Sequence, residues 1–410
     1  MKKKITIIGI NYFPEDTAIG LYTSQLAEYL NLNNIDVTVI TGFPYYPAWR
    51  IHENYRSKKR FLEENINGIR VLRYKQYVPK KPTFIKRILH LLDFSLGTLF
   101  NIFKVKKTDV ILCVVPFIGS VFLGKILSKL KGAKLWVHIQ DFEFDAVSDS
   151  NLIENKTNSN FIFKALFRVE KKLLKSADFL STISTSMILK LKNKVNTETN
   201  NKKLLPNWVD ANFIKPDNYK THQFLSSTKF KILYSGNIGE KQDWNFFIDF
   251  VKKLEPIKDI EIIVVGNGSK RIWLEENLLD FDNIYFYSPV DYSELSNLLC
   301  SADLHVLFQK NNVIDTVMPS KILAMMSSEK PSLITGNLKS EVSSIIKDSK
   351  AGKYFETHNI NEVVDFVIDL KDNKNSQVKY GGNAREFVKN NFSKTKILNQ
   401  FKEVFFKLAE

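Results

Sequence analysis

Short, largely apolar runs punctuate this chain, and Val110–Val115 and Leu135–Ile139, the second holding one histidine, are the clearest. A strand buried on both faces has no polar side, so its sequence stops alternating; such strands belong to parallel sheets covered by helices above and below. Ile5–Ile10, Val37–Ile40, Ile69–Arg73, Phe179–Ile183 and Lys203–Pro206 read as further strands of the first half, with a helix over Ile19–Leu30 at the spacing Ile19, Tyr22, Leu26, Leu30. The second half repeats the theme with Lys231–Tyr234, Glu261–Val265, Ile284–Phe286, Leu304–Phe308 and Pro331–Ile334. Strand–helix alternation over both halves predicts two doubly wound α/β domains, residues 1–206 and 207–383. The polar, aperiodic stretch Asn207–Thr228 marks the boundary, and Ala384–Glu410 is amphipathic through Ile397, Phe401, Val404, Phe405 and Leu408.

Charge is distributed unevenly. Residues 1–205 carry 33 Lys and Arg against 17 Asp and Glu, whereas the remaining residues carry 26 against 27. The net +15 of the chain therefore belongs to its first half, which suggests an anionic surface as partner. Arg56–Lys107 is the densest part, with 14 basic and 3 acidic residues. Inside it, Phe84–Phe103 is apolar but interrupted by Lys86, Arg87, His90 and Asp93, too broken for a spanning helix. Ile85, Ile88, Leu89, Leu92, Leu96, Leu99 and Phe103 form one stripe, as in a helix lying on a membrane or one face of a core. No aromatic–basic interleaving of a nucleic-acid module is present, so no nucleic acid is expected. Cys113 and Cys300 lie in apolar contexts and read as reduced, buried thiols of a cytosolic protein. The apolar run after Met1-Lys2-Lys3-Lys4 is too short for a signal peptide and reads as the first strand.

Three strand-to-helix turns carry the chemistry. They are Lys231 to Lys241 (KILYSGNIGEK), Ile262 to Gly268 (IIVVGNG) and Met318 to Leu323 (MPSKIL). Each sets small residues, backbone N–H groups or a lysine where a parallel strand yields to a helix, and helix N-termini favour anions. A diphosphate is the expected guest, with Lys241 and Lys321 as its cations. Pro319 is shaped for a first helical turn, and Ser320 is placed to cap that helix and bind phosphate. Gly266, Asn267 and Gly268 lack a third glycine at dinucleotide spacing.

In order along the chain, Asn11-Tyr-Phe-Pro-Glu15 with Ile19-Gly-Leu-Tyr-Thr23, Trp136 to Glu143 (WVHIQDFE), Leu205 to Asp210 (LPNWVD), Tyr234 to Lys241, Val265 to Gly268 and Pro319 to Leu323 ahead of Lys330-Pro331 form a set. This set resembles the GT-B glycosyltransferases, and within them the retaining family four, in the branch that makes bacterial exopolysaccharide, capsule and O-antigen, of colanic acid and N-acetyl-fucosaminyl transferase type. The resemblance covers nearly the whole chain. It implies two Rossmann-like domains facing a cleft, a C-terminal helix over 384–410 packing back on the first domain, and a nucleotide-sugar donor held by the second. The donor is expected to be UDP-linked and the acceptor a lipid-linked saccharide, with the anomeric configuration retained. No cofactor and no metal are implied. The chain departs from the family pattern at Asn237, where an arginine is usual, and at Thr316 and Ala324, where two glutamates are usual.

The resemblance assigns catalytic roles to His138 and Asp141 at the end of a buried strand, and to Lys241 and Lys321. Donor contacts fall on Gly20, Gly236, Asn237, Gly266, Asn267, Gly268, Val290, Thr316, Pro319 and Ser320, with the Val290 main chain reading the base. Asp141, Glu143 and Asp145 alternate with Phe142 and Phe144 and in an extended chain would share a face, as hard-cation ligands do. Localisation is expected at the inner face of the plasma membrane. Two other readings stay open. One is another nucleotide-sugar enzyme of this fold, such as a UDP-sugar 2-epimerase, which needs acid/base histidines where the second half offers His305. The other is a membrane-bound, non-catalytic partner with a degenerate donor site.

Overall fold

The computed structural model describes residues 2–16, 18–115, 118–142, 159–195, 201–312, 320–356 and 359–410, apart from the side chains of residues 18, 84, 159–166 and 320. The chain divides into two compact units, residues 1–206 with 398–410, and residues 207–397.

The first unit is built on β1 (Lys4–Ile8), β2 (Asp36–Gly42), β3 (Phe61–Ile66), β4 (Ile69–Tyr74), β5 (Val110–Val115), β6 (Lys134–Ile139), β7 (Phe179–Thr182) and β8 (Lys202–Leu204). Their order is β3-β4-β2-β1-β5-β6-β7-β8, parallel except for the β3–β4 hairpin. That hairpin turns on Asn67 (φ 51°) and Gly68 (φ 82°), the Asn-Gly pair that two successive positive φ values demand. β5 is buried at all six positions, as its unbroken apolar run requires. Helices α1 (Ala18–Leu32), α2 (Glu53–Arg56), α3 (Phe84–Ile102), α4 (Ile118–Lys131), α5 (Ser159–Leu174) and α6 (Thr185–Val195) complete the unit.

α3 docks by an unusual face. A Cβ on Gly97 would lie 2.0 Å from the Tyr74 ring, so the missing side chain lets the helix press on β4. Leu91, Phe94, Thr98 and Asn101 are buried with it. The stripe Ile85, Leu89, Leu92, Leu96, Phe100 and Phe103 points outward, with Ile85 70% and Phe103 68% exposed. Its one acid, Asp93, is turned inward, accepting from the Tyr74 hydroxyl at 3.0 Å and the Tyr77 amide at 2.7 Å. No helix among the described residues is long and apolar enough to cross a membrane.

The second unit holds β9 (Phe230–Ser235), β10 (Ile260–Val265), β11 (Ile284–Tyr287), β12 (Leu304–Phe308), β13 (Ser332–Thr335) and β14 (Gly352–Phe355), all parallel in the order β11-β10-β9-β12-β13-β14. Between β9 and β12 the winding reverses, which opens a crevice at the carboxyl ends of the strands. Its helices are α7 (Trp244–Leu254), α8 (Arg271–Asn277), α9 (Leu295–Cys300), α10 (Ser320–Ser327), α11 (Glu341–Ser349), α12 (Ile360–Asp372) and α13 (Lys374–Phe392). The Asp243 carboxylate caps α7 by accepting from the Phe246 amide at 3.2 Å, and Phe247 and Phe250 then meet Phe308 of β12 at 5.5 and 5.1 Å between ring centres.

The stretch 384–410 is two elements, because α13 stops at Phe392 and Ser393 takes an extended conformation before α14 (Lys394–Ala409). Within the first unit, Phe401 of α14 stacks on Trp136 at 5.6 Å and meets His138 edge-on at 5.0 Å. The Tyr29 hydroxyl donates to Asn399 at 2.5 Å.

Candidate functional site

At the switch point of the second unit, two glycine turns lock together. After β9 the chain turns at Gly236 (φ 132°), a conformation that L side chains rarely adopt. The Gly236 amide donates to the Val265 carbonyl at 2.9 Å, and the Ile238 amide to the Asn267 carbonyl at 2.9 Å. A Cβ on Gly266 would lie 1.9 Å from the Gly236 carbonyl, and one on Gly268 2.3 Å from that of Ile238. Gly266 and Gly268 are needed because two main chains pass at contact distance, and Gly236 because of its positive φ.

Lys321, in the first turn of α10, reaches this point. A Cβ on Gly236 would stand 2.8 Å from its ammonium. The ammonium donates to the Tyr234 hydroxyl at 3.1 Å and lies 4.6 Å from that ring's centre. The hydroxyl in turn donates to the Asn237 carbonyl at 2.7 Å. Burial depresses the Lys321 pKa to about 8 and raises that of Tyr234. The first and third turns recognised in the sequence thus converge through Gly236, Asn237 and Lys321.

Lys241 is exposed, and its carbonyl accepts from the Lys310 amide at 3.2 Å. The Val290 side chain packs against the apolar cluster of Leu233, Ile263 and Val265. Thr316 and Pro319 lie outside the described residues, and Ser320 is seen only as the first residue of α10.

Arg271 is a residue that motif reading passed over. Its guanidinium donates to the Gly266 carbonyl and, at 2.7 Å, to the Tyr287 carbonyl, and pairs with Glu275 at 2.8 Å. It ties the ends of β10 and β11 together. A signal existed: a cation in the first turn of a helix opposes the macrodipole and needs another partner.

In the first unit, the start of α1 sits on a buried carboxylate. A Cβ on Gly20 would lie 2.8 Å from the Glu15 Cβ. Glu15 accepts from the Tyr45 and Tyr46 amides at 2.8 and 2.9 Å and from Asn11 at 2.8 Å. Burial raises its pKa against the pull of those donors.

His138 ends β6 as the sequence suggests, but it is 2% exposed with both ring nitrogens engaged. Gln140 donates to Nε2 at 3.0 Å, so Nδ1 carries the proton and donates to Ser181 Oγ at 2.9 Å; that oxygen also accepts from Trp136 at 2.8 Å. Burial lowers the imidazole pKa to about 3, so the ring is neutral. It is built to hold Gln140 and offers no free nitrogen for acid–base work. Asp141, three residues on in sequence, is half-buried, while Glu143, Phe144 and Asp145 lie outside the described residues. Among the described residues no three His, Cys, Asp or Glu side chains gather as a metal site.

Comparison with known proteins gives a consistent set. The pattern described as glycosyl transferases group 1 matches residues 217–387. The chain is 34% identical over 349 residues to the putative colanic acid biosynthesis glycosyl transferase WcaI of Escherichia coli K12, covering 83% of this chain and 84% of that one. Sucrose-phosphate synthase from Thermosynechococcus elongatus shares the fold with a TM-score of 0.72 at 14% identity, over 99% of both chains. HepE of Anabaena, solved in complex with UDP-glucose, shares it with a TM-score of 0.69 at 12% identity, over 98% of this chain and 99% of that one.

Proposed function

Since this chain belongs to the group 1 glycosyl transferases and has their GT-B fold, we propose that it moves a sugar from a UDP-linked donor onto a lipid-linked saccharide in bacterial surface polysaccharide synthesis, with retention. That it is a glycosyltransferase follows from its family; the donor, the acceptor and the stereochemistry are our reading. The observation that carries it is the Lys321 ammonium held against Gly236 at the switch point.

Breaking the bond from sugar to diphosphate develops negative charge on the departing phosphate. A cation fixed in a partly dry site stabilises that charge far more than it would in water, and it needs no reorganisation at the moment of reaction. Lys321 is placed for this role. Gly236 and the interlocked Gly266–Gly268 turn let the diphosphate approach main-chain N–H groups, and Lys241 adds a second, exposed charge. By the resemblance, the Val290 main chain would read the base, and Thr316, Pro319 and Ser320, which precede or begin α10 in sequence, would add to the anion site. On the first unit, the space at Gly20 is taken by Glu15 and not by an approaching donor, which corrects the expectation for that glycine, and His138 would act by fixing Gln140, the residue before Asp141. A retaining transfer that relies on leaving-group stabilisation asks for no free histidine base. The same point counts against an epimerase: His305 is fully buried, bonded to Ser328 Oγ at 2.8 Å and lowered by burial to a pKa of about 3.

The outward stripe of α3 supports docking on an anionic membrane, where a lipid-linked acceptor would be met. Six apolar side chains on one helix face, with the acid turned inward and Lys86 and Arg87 exposed, suit shallow insertion. The deciding experiment is a screen of purified protein against UDP-, GDP- and ADP-linked sugars with lipid-linked saccharide acceptors, read by product mass. Transfer from a UDP-sugar is expected. Binding of UDP without turnover on any acceptor would favour the non-catalytic partner.

A further inference from the structure

α4 lies between α3 and α5. Gly124 seats it: a Cβ there would lie 2.2 Å from the Cys113 sulfur of β5. With that face inward, Phe122, Lys125, Ile126 and Lys129 turn toward α5, and a groove of about 280 Å³ opens between the two helices. Its floor is Phe122, Ile126, Val169 and Leu173, and Lys125, Lys129 and Lys172 stand along it. Phe122 and Val169 are 46% and 52% exposed. The two helices hold a single acid, Glu170, which is buried and ion-paired with Lys194 at 2.7 Å. Among the described residues, none of the three groove lysines is paired with a carboxylate.

We propose that this groove binds one anionic phospholipid, an acyl chain along its floor and the phosphate on its lysines. The chemistry selects the occupant. Hydrocarbon fits a floor that offers no hydrogen-bond partner, and three unneutralised cations on its rim call for an anion. A nucleotide or free phosphate gains nothing from the floor. A second copy would bring like charges together if the groove met itself across a twofold axis. The groove also neighbours α3, whose apolar stripe faces outward, so a lipid drawn from a membrane under α3 has a short path. The proposal rests on the membrane reading for that path alone; its site is separate from the α3 stripe.

The test uses the full chain and dioctanoyl phosphatidylglycerol below its micelle concentration, so that no surface is present. Saturable binding of one lipid per chain is expected, at least about tenfold tighter than dioctanoyl phosphatidylcholine, because three cations act on the headgroup. K125Q/K129Q/K172Q should abolish this preference with an unchanged unfolding temperature; Ile126→Asp should weaken both lipids. Equal binding of the two lipids, inorganic phosphate competing at equal affinity, lipid-independent dimerisation through the groove, or full retention in the triple variant would each overturn the proposal. Leu89→Glu/Leu96→Glu separates the two readings. It should cost vesicle binding and keep monomeric lipid binding. Vesicle binding without monomeric lipid binding sinks the groove alone, and the reverse in the unsubstituted protein sinks the α3 docking alone.

Discussion

The Lys321 ammonium lies 3.1 Å from the Tyr234 hydroxyl, and that hydroxyl donates its own proton to the Asn237 carbonyl. Among the described residues, the half-buried lysine therefore has one hydrogen-bond partner, a neutral one, where a cation held out of water prefers an anion. Burial lowers its pKa to about 8. The folded protein holds this charge poorly, and the proposed diphosphate would relieve that.

The first prediction follows from the sign of that shift. The folded pKa lies below the unfolded one, so between about pH 8 and the ordinary lysine value the unfolded chain binds more protons and stability rises with pH. UDP affinity should move the other way. It should be flat below about pH 8 and fall above it, as the free site loses its proton. Lys321→Met should weaken UDP binding by at least about tenfold, remove that pH step and leave the unfolding temperature equal or higher, since a poorly paired charge is gone. Titration calorimetry across pH 7–10 checks this; an unchanged UDP affinity in the variant refutes the site.

The interlocked turns give the second. Gly266→Ala must push the two main chains apart, because its Cβ would lie 1.9 Å from the Gly236 carbonyl. Overpacking between two main chains should cost about 1–3 kcal/mol of stability and displace the Gly236 turn as well. UDP affinity should fall together with the unfolding temperature. Gly382→Ala, where the added carbon meets nothing within 4 Å, should change neither.

Arg271 supplies the third. Arg271→Ala leaves the Gly266 and Tyr287 carbonyls without their charged donor, and each such bond contributes about 1.5–3 kcal/mol. Arg271→Lys keeps the charge and loses the fork, so it should recover a minor part. Because the guanidinium spans the ends of β10 and β11, the expected signature is a raised KM for donor larger than any loss in kcat, with uridine affinity reduced as well. An Arg271→Ala variant with wild-type donor KM and stability would remove this role.

Much of the fold is legible because unbroken apolar runs such as Val110–Val115 have one structural solution, and the Gly236 and Gly266–Gly268 turns stand out because only glycine tolerates such approach. What is not legible depends on partners distant in sequence. Its place in the first turn of α8 signals that Arg271 needs a partner, but nothing near it says that the partners are the carbonyls of Gly266 and Tyr287. The β3–β4 hairpin has its signal in Asn67-Gly68, yet β3 alternates weakly and lies at the sheet edge. Periodicity marks α3 as amphipathic but cannot say which face enters the core; the fit of Gly97 against Tyr74 decides that. His138 reads as a cleft histidine until Ser181, on another strand, and Gln140 occupy its ring. The break at Ser393 is a short-range capping event inside a longer apolar pattern.

Metal dependence is the fourth prediction. Turnover is expected to persist in EDTA, because the proposal assigns the diphosphate charge to Lys321, with Lys241, and to no metal ion. Asp141, with Glu143 and Asp145 near it in sequence, motivates the opposite outcome. Activity lost in EDTA and restored by Mg²⁺ or Mn²⁺ would transfer the charge-stabilising role from the lysines to a cation on those carboxylates.

The last prediction concerns α3. Its outward residues are Ile85, Leu89, Leu92, Leu96, Phe100 and Phe103, each at least 46% exposed. Fully burying one such side chain contributes about 1.5–3 kcal/mol, so even shallow insertion of several outweighs the screening of surface charge. The basic residues of Arg56–Lys107 add about 1 kcal/mol each when close to anionic headgroups. The two contributions answer differently to salt, since the screening length falls from about 10 Å at 0.1 M to about 3 Å at 1 M. Binding to phosphatidylglycerol-containing vesicles should thus weaken but persist at 1 M salt. Leu89→Glu with Leu96→Glu should abolish the salt-resistant part. Lys104, Lys106 and Lys107 changed to Glu should abolish the salt-sensitive part. Neither change should alter UDP affinity, because the proposed diphosphate cations, Lys321 and Lys241, belong to the second unit. Equal sedimentation with neutral and anionic vesicles, or none with either, would show that the α3 stripe serves another partner.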